Sequence, residues 1–339
     1  MNREIGSEFF TFQSIDEQIH NKNVLFLISG RTAIDAIIKD VKKNKNIKSA
    51  LLPSYCCESM IVPFLDNGIE VSFYSVDVNG IQYTEKNSAD IVLVMDYFGF
   101  ETKEINAVVQ KAKNENKIVI YDSTQKINGN SFLEELVDYS FCSYRKWFYC
   151  NFSKLKKHNG FFDLQDFNNY HNNYIDLRDK AADLKQKYIN GEINEKSQFL
   201  KLYNDAEALL ETDYMGYRGV SVKYDLSYIK NTRQRNAKYL IDRLSQIEGV
   251  NLWKKDIGLN DIPLFVPIIV ESKLRDELKK YLVSKDIYCP VHWPRTSIQT
   301  KYSDLYDKEL SLICDQRYEI SDMKRIVDEI INFFDSVRR

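Results

Sequence analysis

The run ADIVLVMDYFG (89–99) constrains the fold more than any other stretch of this chain. Its apolar residues are continuous rather than alternating, as expected of a short strand buried on both faces. A second such run, KIVIYDS (117–123), ends on Asp122. Between them EINAVVQKAKNEN (104–116) has the spacing of an amphipathic helix. The alternation reaches back to residue 24. NVLFLIS (23–29), SALLPS (49–54), EVSFYSVD (70–77) and VDYSFCSY (137–144) read as strands. RTAIDAIIKDVKKN (31–44) carries Ala33, Ile34, Ile37, Ile38 and Val41 at helical spacing, and ESMIVPFLDNG (58–68) reads as a helix closed by Asn67-Gly68. Strands alternating with helices imply an α/β fold with a mostly parallel sheet flanked by helices.

The second half changes character. Residues 164–215 are polar and suggest a helical insert with helices near 176–190 and 195–211. A long amphipathic helix over 224–247, a strand at 262–270, and helices at 272–287 and 320–337 fit a small α+β C-terminal domain. We therefore expect a large domain over 1–220 and a small one over 221–339. The formal net charge of −2 gives no electrostatic case for nucleic acid or an anionic membrane. The basic cluster KLKK (154–157) reads as solvated. The start, MNREIGSEFFTF, carries two acids and has the pattern of neither a signal nor a transit peptide. No window holds the roughly 18 uninterrupted apolar residues of a membrane span. The six cysteines show no C-x-x-C spacing, and the four histidines are not paired at ligand spacing, so no metal site is expected. Reduced thiols and a cytoplasmic location are the simplest expectation.

In α/β folds, ligands bind beyond the carboxyl ends of the strands. Three features fall there. SGRT (29–32) precedes a helix whose N–H groups and hydroxyls could hold a phosphate, although Ser-Gly is also an ordinary cap. Asp122 closes a buried strand, where a carboxylate needs a cation, donors or a turn to cap. Ser143 and Lys146 form S-x-x-K after the next strand, inside the aromatic and thiol run FCSYRKWFYC (141–150). A snorkelling surface lysine would explain Lys146 taken alone. Together the three suggest pyridoxal phosphate. Its aldehyde bonds a lysine amine, its ring nitrogen pairs with an acid, and its phosphate wants amides and hydroxyls. Arg31 and Arg145 could add a cation to the phosphate; Lys154 and Lys156 are weaker candidates for the same contact.

Here the motifs resemble those of the DegT/DnrJ/EryC1/StrS family, sugar aminotransferases of fold-type I. EIGSEFF (4–10) resembles the N-terminal segment of one branch. SGRTAIDAI resembles the SGTAAL-type turn and implies cofactor contacts for Gly30, Arg31 and Thr32. YDSTQ resembles D-x-x-Q, which implies Asp122 on the ring nitrogen and Gln125 near the ring hydroxyl. SYRK implies Lys146 as the cofactor lysine and Ser143 as a phosphate ligand. LLPSYCCESMIVPFLDNGIEVSFYSVD (51–77), MDYFGF (95–100), YCPVHWP (288–294) and LSLICDQRYEISDMKRIVDEI (310–330) follow in the family's order. They imply Tyr55, Tyr97 and His292 near the substrate.

The resemblance implies transfer of an amino group, with glutamate as the expected donor, to a keto sugar. It implies a nucleotide-linked sugar, a role in surface polysaccharide or deoxyamino-sugar synthesis, and a homodimer. The chain departs from the pattern three times, first in its S-x-x-K, where the family has S-F-x-x-x-K. The aromatic residue that stacks on the ring is replaced by Cys57 or a neighbour, and the glycine-rich segment after the lysine becomes NFSKLKKHNGFF (151–162). These departures leave open a pyridoxal-phosphate lyase or a non-sugar aminotransferase. A non-catalytic protein that binds sugar or nucleotide is a further alternative. A Rossmann enzyme fits poorly, since no G-x-G-x-x-G follows the first strand.

Overall fold

The computed structural model describes residues 4–10, 16–18, 21–83, 88–163, 173–212, 220–295, 298 and 303–338. Parts of the expected insert, 164–172 and 213–215, lie outside them. Two short strands come first, β1 (Ile5–Gly6) and β2 (Asp16–Gln18). Then strands and helices alternate: β3 (Val24–Leu27), α1 (Gly30–Lys42), β4 (Ser49–Pro53), α2 (Glu58–Asp66) and the hairpin β5 (Glu70–Asp77) with β6 (Gly80–Gln82). They continue through β7 (Ile91–Met95), α3 (Lys103–Asn114), β8 (Ile118–Asp122), α4 (Ser131–Leu136), β9 (Tyr139–Ser143) and β10 (Ser153–Lys157). Side-chain oxygens set the starts of two of these helices. Ser29 accepts from Thr32 N ahead of α1, and Asn130 accepts from Phe132 N ahead of α4.

Eight strands form one sheet in the order β3-β10-β9-β8-β7-β4-β5-β6. β9, β8, β7, β4 and β5 run parallel; β10 runs against both of its neighbours, and β6 turns back on β5. All five residues of β7, β8 and β9 are buried, as continuous apolar strands covered on both faces should be. Ala33, Ile34, Ile37, Ile38 and Val41 of α1 pack into the same core.

The KLKK cluster corrects the sequence reading. It lies in β10, inside the sheet, between β3 and β9. Ser153 and Leu155 are buried, Lys154 and Lys156 alternate with them, and Lys157 shares their face. Lys157 bonds Asp40 at 2.7 Å and Lys156 bonds Glu134 at 3.2 Å. Long apolar stems let lysines flank a buried strand while their ends reach acids, so the charge hides the strand from a pattern search. Neither Lys154 nor Lys156 lines the cavity described below.

Beyond the sheet, α5 (Tyr174–Ile189) and α6 (Ser197–Thr212) pack on each other. β11 (Val220–Val222) pairs with β2. α7 (Leu226–Leu244), capped by Asp225, leads to β12 (Asn251–Leu252), β13 (Phe265–Ile269), α8 (Ser272–Ser284), β14 (Ile287–Tyr288), α9 (Leu305–Lys308), β15 (Glu309–Ile313) and α10 (Ile320–Val337). β12, β13 and β15 form a separate antiparallel sheet. Its core joins Val266, Ile268, Leu310 and Leu312 with Leu240 and Leu244 of α7 and Ile326 and Ile330 of α10. Ile5 belongs to this second core, because β1 pairs with β14. The start of the chain is thus tied to its C-terminal part.

Two joints fix that part to the large sheet. Leu264 N donates to Phe98 O at 2.8 Å and Ile262 N to Gly99 O at 3.0 Å. The Tyr306 hydroxyl bonds the carbonyls of Ser54 and Cys56 at 2.8 and 2.9 Å. The first joint needs a glycine. Gly99 has φ +85°, and a Cβ there would stand 1.9 Å from the Ile262 carbonyl oxygen. Gly68 has φ +67° but open space around it. We predict that Gly99→Ala costs at least about 3 kcal/mol in denaturant unfolding, while Gly68→Ala costs roughly 1 kcal/mol, the left-handed backbone term alone. Equal costs would mean that the Gly99–Ile262 joint is not as tight as the structure has it.

Candidate active site

Strand register assembles the site. Met95 pairs with Asp122 across β7 and β8, and Asp122 pairs with Phe141 across β8 and β9. All three end at one level, at the carboxyl edge of the sheet, and all three line a cavity of about 220 Å³. Ser143, two residues past Phe141 on the same strand face, lines it as well. Lys146 completes that wall from the single 3₁₀ turn, Tyr144–Lys146, that follows β9.

Asp122 is buried. One carboxylate oxygen accepts from Thr124 N at 2.8 Å, so Asp122 both caps its turn and faces the cavity. Burial raises its pKa to about 6, opposed by the Thr124 bonds and assisted by Asp96. No cation is among the causes. A positively charged ligand group here would supply what the carboxylate lacks. Gln125 lines the cavity beside it, and its amide oxygen accepts from Phe98 N at 2.6 Å. Its NH₂ group can donate to a ligand, and its oxygen keeps a second lone pair.

The aromatic run around Lys146 anchors the turn rather than the ligand. Tyr144, Trp147 and Phe148 pack into a buried cluster with Phe26 and Phe152, and Trp147 Nε1 donates to Thr124 O at 2.8 Å. Arg145 and Lys146 are turned to the cavity instead. Lys146 makes no hydrogen bond or ion pair among the described residues. It keeps accessible surface because it stands in the opening. The surrounding protein lowers its ammonium pKa, with Arg145 adding to the effect and Glu8 and Glu207 opposing it. Arg145 is held by Glu207 at 2.5 Å and the Tyr174 hydroxyl at 2.9 Å. Buried Arg178 extends the network between Glu207, at 3.3 Å, and Glu8, at 2.8 Å.

The beginning of α1, packed against β9, adds Ser29, Gly30 and Arg31 to the cavity lining. A Cβ on Gly30 would approach the Phe141 ring to 3.3 Å, so glycine lets the helix start sit against β9. Thr32 is a correction: it is fully buried, bonds the Ser29 hydroxyl at 2.9 Å and does not line the cavity. At N3 its hydroxyl is taken up in the capping bond. Arg31 does line it, but also donates to the Leu210 carbonyl of α6.

Cys57 lines the third side, its Sγ 2.9 Å from the Ser59 hydroxyl and its thiol pKa raised by burial. Tyr55 and Tyr97 correct the expectation of substrate contact. They are 0% and 1% exposed, stack on each other with ring centres 5.9 Å apart, and stand behind the wall. The Tyr97 hydroxyl is spent on Tyr55 O at 2.6 Å. Two bulky rings at strand ends bury more area against each other than in an open cavity. Trp293, half-buried, packs on Tyr55 at 5.2 Å and lines the cavity beside His292. His292 is buried; its Nδ1 is 2.9 Å from the Ser311 hydroxyl, and its backbone N donates to Glu309 at 2.7 Å.

The site thus gathers Gly30, Arg31, Cys57, Asp122, Gln125, Ser143, Lys146 and His292, and leaves out Thr32, Tyr55 and Tyr97. Sequence reasoning missed Thr124, although it lies inside D-S-T-Q, and Trp293, although it follows His292 directly. It also missed Glu207 and Leu210. These come from α6, a polar helix with no motif to mark it. Among the described residues no group of three or more His, Cys, Asp and Glu is placed to hold a metal.

No family model matches the chain, and no curated protein matches it. Solved structures do. PseC of Helicobacter pylori, an aminotransferase involved in the biosynthesis of pseudoaminic acid, aligns with a TM-score of 0.67 at 12% identity, over 98% of this chain and 100% of that one. NtdA of Bacillus subtilis, solved with bound cofactor PMP, aligns at 0.61 and 16% identity over 91% and 73%. A DegT DnrJ EryC1 StrS aminotransferase from Brucella abortus aligns at 0.57 and 14% identity over 93% and 86%. The chain has the fold of the DegT/DnrJ/EryC1/StrS aminotransferases. This is the fold-type I architecture that the order of motifs implies, with its mostly parallel sheet and second, smaller core.

The raised pKa of Asp122 has a measurable consequence. Unfolded, the carboxyl titrates near 3.8; folded, near 6. Ligand-free protein therefore loses stability relative to Asp122→Asn as pH rises from about 4 to about 6, and the gap is constant above. The shift corresponds to roughly 3 kcal/mol. Asp96, also raised to about 6, is present in both proteins, and its repulsion of Asp122 is part of the gap. A gap independent of pH, measured by urea unfolding, would show that Asp122 ionises freely in the fold.

Proposed function

We propose that this protein is a pyridoxal-phosphate-dependent aminotransferase that moves an amino group from a donor such as glutamate to a keto sugar. The observation that carries the reading is one cavity walled by Asp122, Lys146 and the N-terminus of α1. The residues present fit the cofactor. Asp122 is a buried carboxylate without a cation, suited to a protonated ring nitrogen. Lys146 is an amine with no partner among the described residues. Ser29, Gly30 and Ser143 offer amides and hydroxyls to a phosphate at the positive end of a helix. Thr124 and Gln125 lie between these groups. The fold shared with PseC and with NtdA, which binds PMP, supports the same reading.

When bound, pyridoxal phosphate supplies an aldehyde that joins to an amine and a ring that accepts the electron pair released at the substrate carbon. The chain's own residues do the rest. Asp122 holds a proton on the ring nitrogen by charge, in a dry setting where that interaction is strong. Lys146 Nζ, its pKa lowered, takes the proton from the donor's Cα and returns it to the acceptor side as general base and acid. Arg145 fixes the turn through Glu207 and Tyr174 and keeps a positive charge beside Nζ. Trp293 supplies an aromatic face where Cys57 does not. A nucleotide on the sugar, a homodimer and a role in polysaccharide or deoxyamino-sugar synthesis follow from the motif resemblance and belong to the same proposal.

Borohydride reduction followed by peptide mass spectrometry tests it. Pyridoxal phosphate mixed with the wild type should leave its reduced mass on Lys146, and prior incubation with glutamate should abolish the label. Label on scattered surface lysines, or none, would contradict the proposal. Label on Lys146 that survives every amino donor would favour the lyase reading.

A further inference from the structure

His292 lines the cavity, and the proton transfers assigned to Lys146 leave it without a role. Its ring is wedged between Phe98, edge-on at 5.7 Å, and Phe265 at 4.9 Å. Beside it stands Glu309, the first residue of β15, which is 0% exposed. Among the described residues no lysine or arginine pairs with that carboxylate; the one basic side chain near it is His292 itself. Three donors surround it instead. Oε2 accepts from His292 N at 2.7 Å and from the Tyr55 hydroxyl at 3.4 Å, and Oε1 accepts from the Ser311 hydroxyl at 2.5 Å.

A buried carboxylate is costly, and a neutral acceptor would tie the His292 backbone to β15 as well. The charge does something more. An ionised carboxylate only accepts, so the single proton of the Ser311 hydroxyl goes to Oε1. The Ser311 oxygen also lies 2.9 Å from His292 Nδ1. With its own proton given away, that oxygen accepts, and the ring carries its proton on Nδ1. Nε2 is then bare, since a neutral imidazole holds one proton. Nε2 has no protein partner among the described residues and is not sealed from solvent. The open space that His292 lines is the cavity and its continuation toward Lys279 and Arg317.

We propose that Glu309 and Ser311 are positioning residues that fix His292 as its Nδ1–H tautomer, so that Nε2 meets the substrate as a neutral acceptor for one of its hydroxyl groups. A bare nitrogen opposes a carboxylate or phosphate oxygen, because both are acceptors, and it fits an O–H. A site built around such a bond rejects the analogue that lacks the hydroxyl. The substrate half of the assignment rests on the sugar aminotransferase reading; the tautomer does not.

Nitrogen NMR of the full chain, labelled at histidine and measured at neutral pH with and without saturating pyridoxal phosphate, tests the tautomer. The His292 signals are those lost in His292→Phe. Wild type should show a protonated Nδ1 and a bare Nε2. Glu309→Gln should invert this. Its amide oxygen keeps the bond from His292 N, its NH₂ donates to the Ser311 oxygen, and the Ser311 proton turns to Nδ1, which moves the ring proton to Nε2. A purely structural Glu309 would leave the tautomer as it was. If Glu309→Gln does not fold, Ser311→Ala replaces it and should give a mixture of tautomers. A wild-type ring protonated on Nε2 or on both nitrogens, or an unchanged tautomer in a folded variant, would overturn the assignment. The hydroxyl contact is read by carbethoxylation of His292 with diethyl pyrocarbonate, followed by mass spectrometry. Inositol, a ring of hydroxyls without amine or carbonyl, should slow the reaction, and glutarate, which at neutral pH only accepts, should not. No protection by inositol, or equal protection by both, would overturn that half. None of these measurements needs amino transfer, which the lysine mass measurement decides separately.

Discussion

The register of three parallel strands is the constraint on which the rest depends. Met95, Asp122 and Phe141 sit side by side because β7, β8 and β9 are aligned residue for residue. Slipping β8 by one position would turn Asp122 to the other face of the sheet and replace it in the wall by Tyr121 or Ser123. Continuous apolar strands fix that register only if both faces are covered. Here α1, α3 and the C-terminal joints cover them. The catalytic geometry is therefore a by-product of core packing, carried to the sheet's edge.

At that edge two ionisable groups line one cavity, Asp122 buried and Lys146 in its opening. Among the described residues Asp122 pairs with no cation and Lys146 with no acid, and each is pushed toward its neutral form. A protein selected for stability alone would pair them with each other or replace them with apolar groups. Keeping both unpaired on facing walls of one cavity stores electrostatic demand that a zwitterionic ring can satisfy.

Much of this is legible in the sequence where the signal is local. EVSFYSVD and ISDMKRIVDEIINFFDSV mark β5 and α10 because their periods are clean. Strand-end logic finds Asp122 and Lys146 because β8 and β9 are apolar up to those polar tips. It misses what tertiary contact decides. β10 is written in lysines, and only their partners Asp40 and Glu134 show why they can flank a buried strand. Tyr55 and Tyr97 lie at strand ends as well, yet pack backwards on each other, because a ring gains more from the core than from an open cavity. Glu207 reaches the site from a helix some sixty residues beyond Lys146, and no spacing rule anticipates that.

The account reduces to one ligand lying between Asp122 and Lys146. A crystal soaked with pyridoxal phosphate measures this most directly. It should show the cofactor's aldehyde carbon joined to Lys146 Nζ, its ring nitrogen within hydrogen-bonding distance of the Asp122 carboxylate, and its phosphate at Ser29–Gly30. Density elsewhere, or a ring whose nitrogen faces away from Asp122, would contradict it.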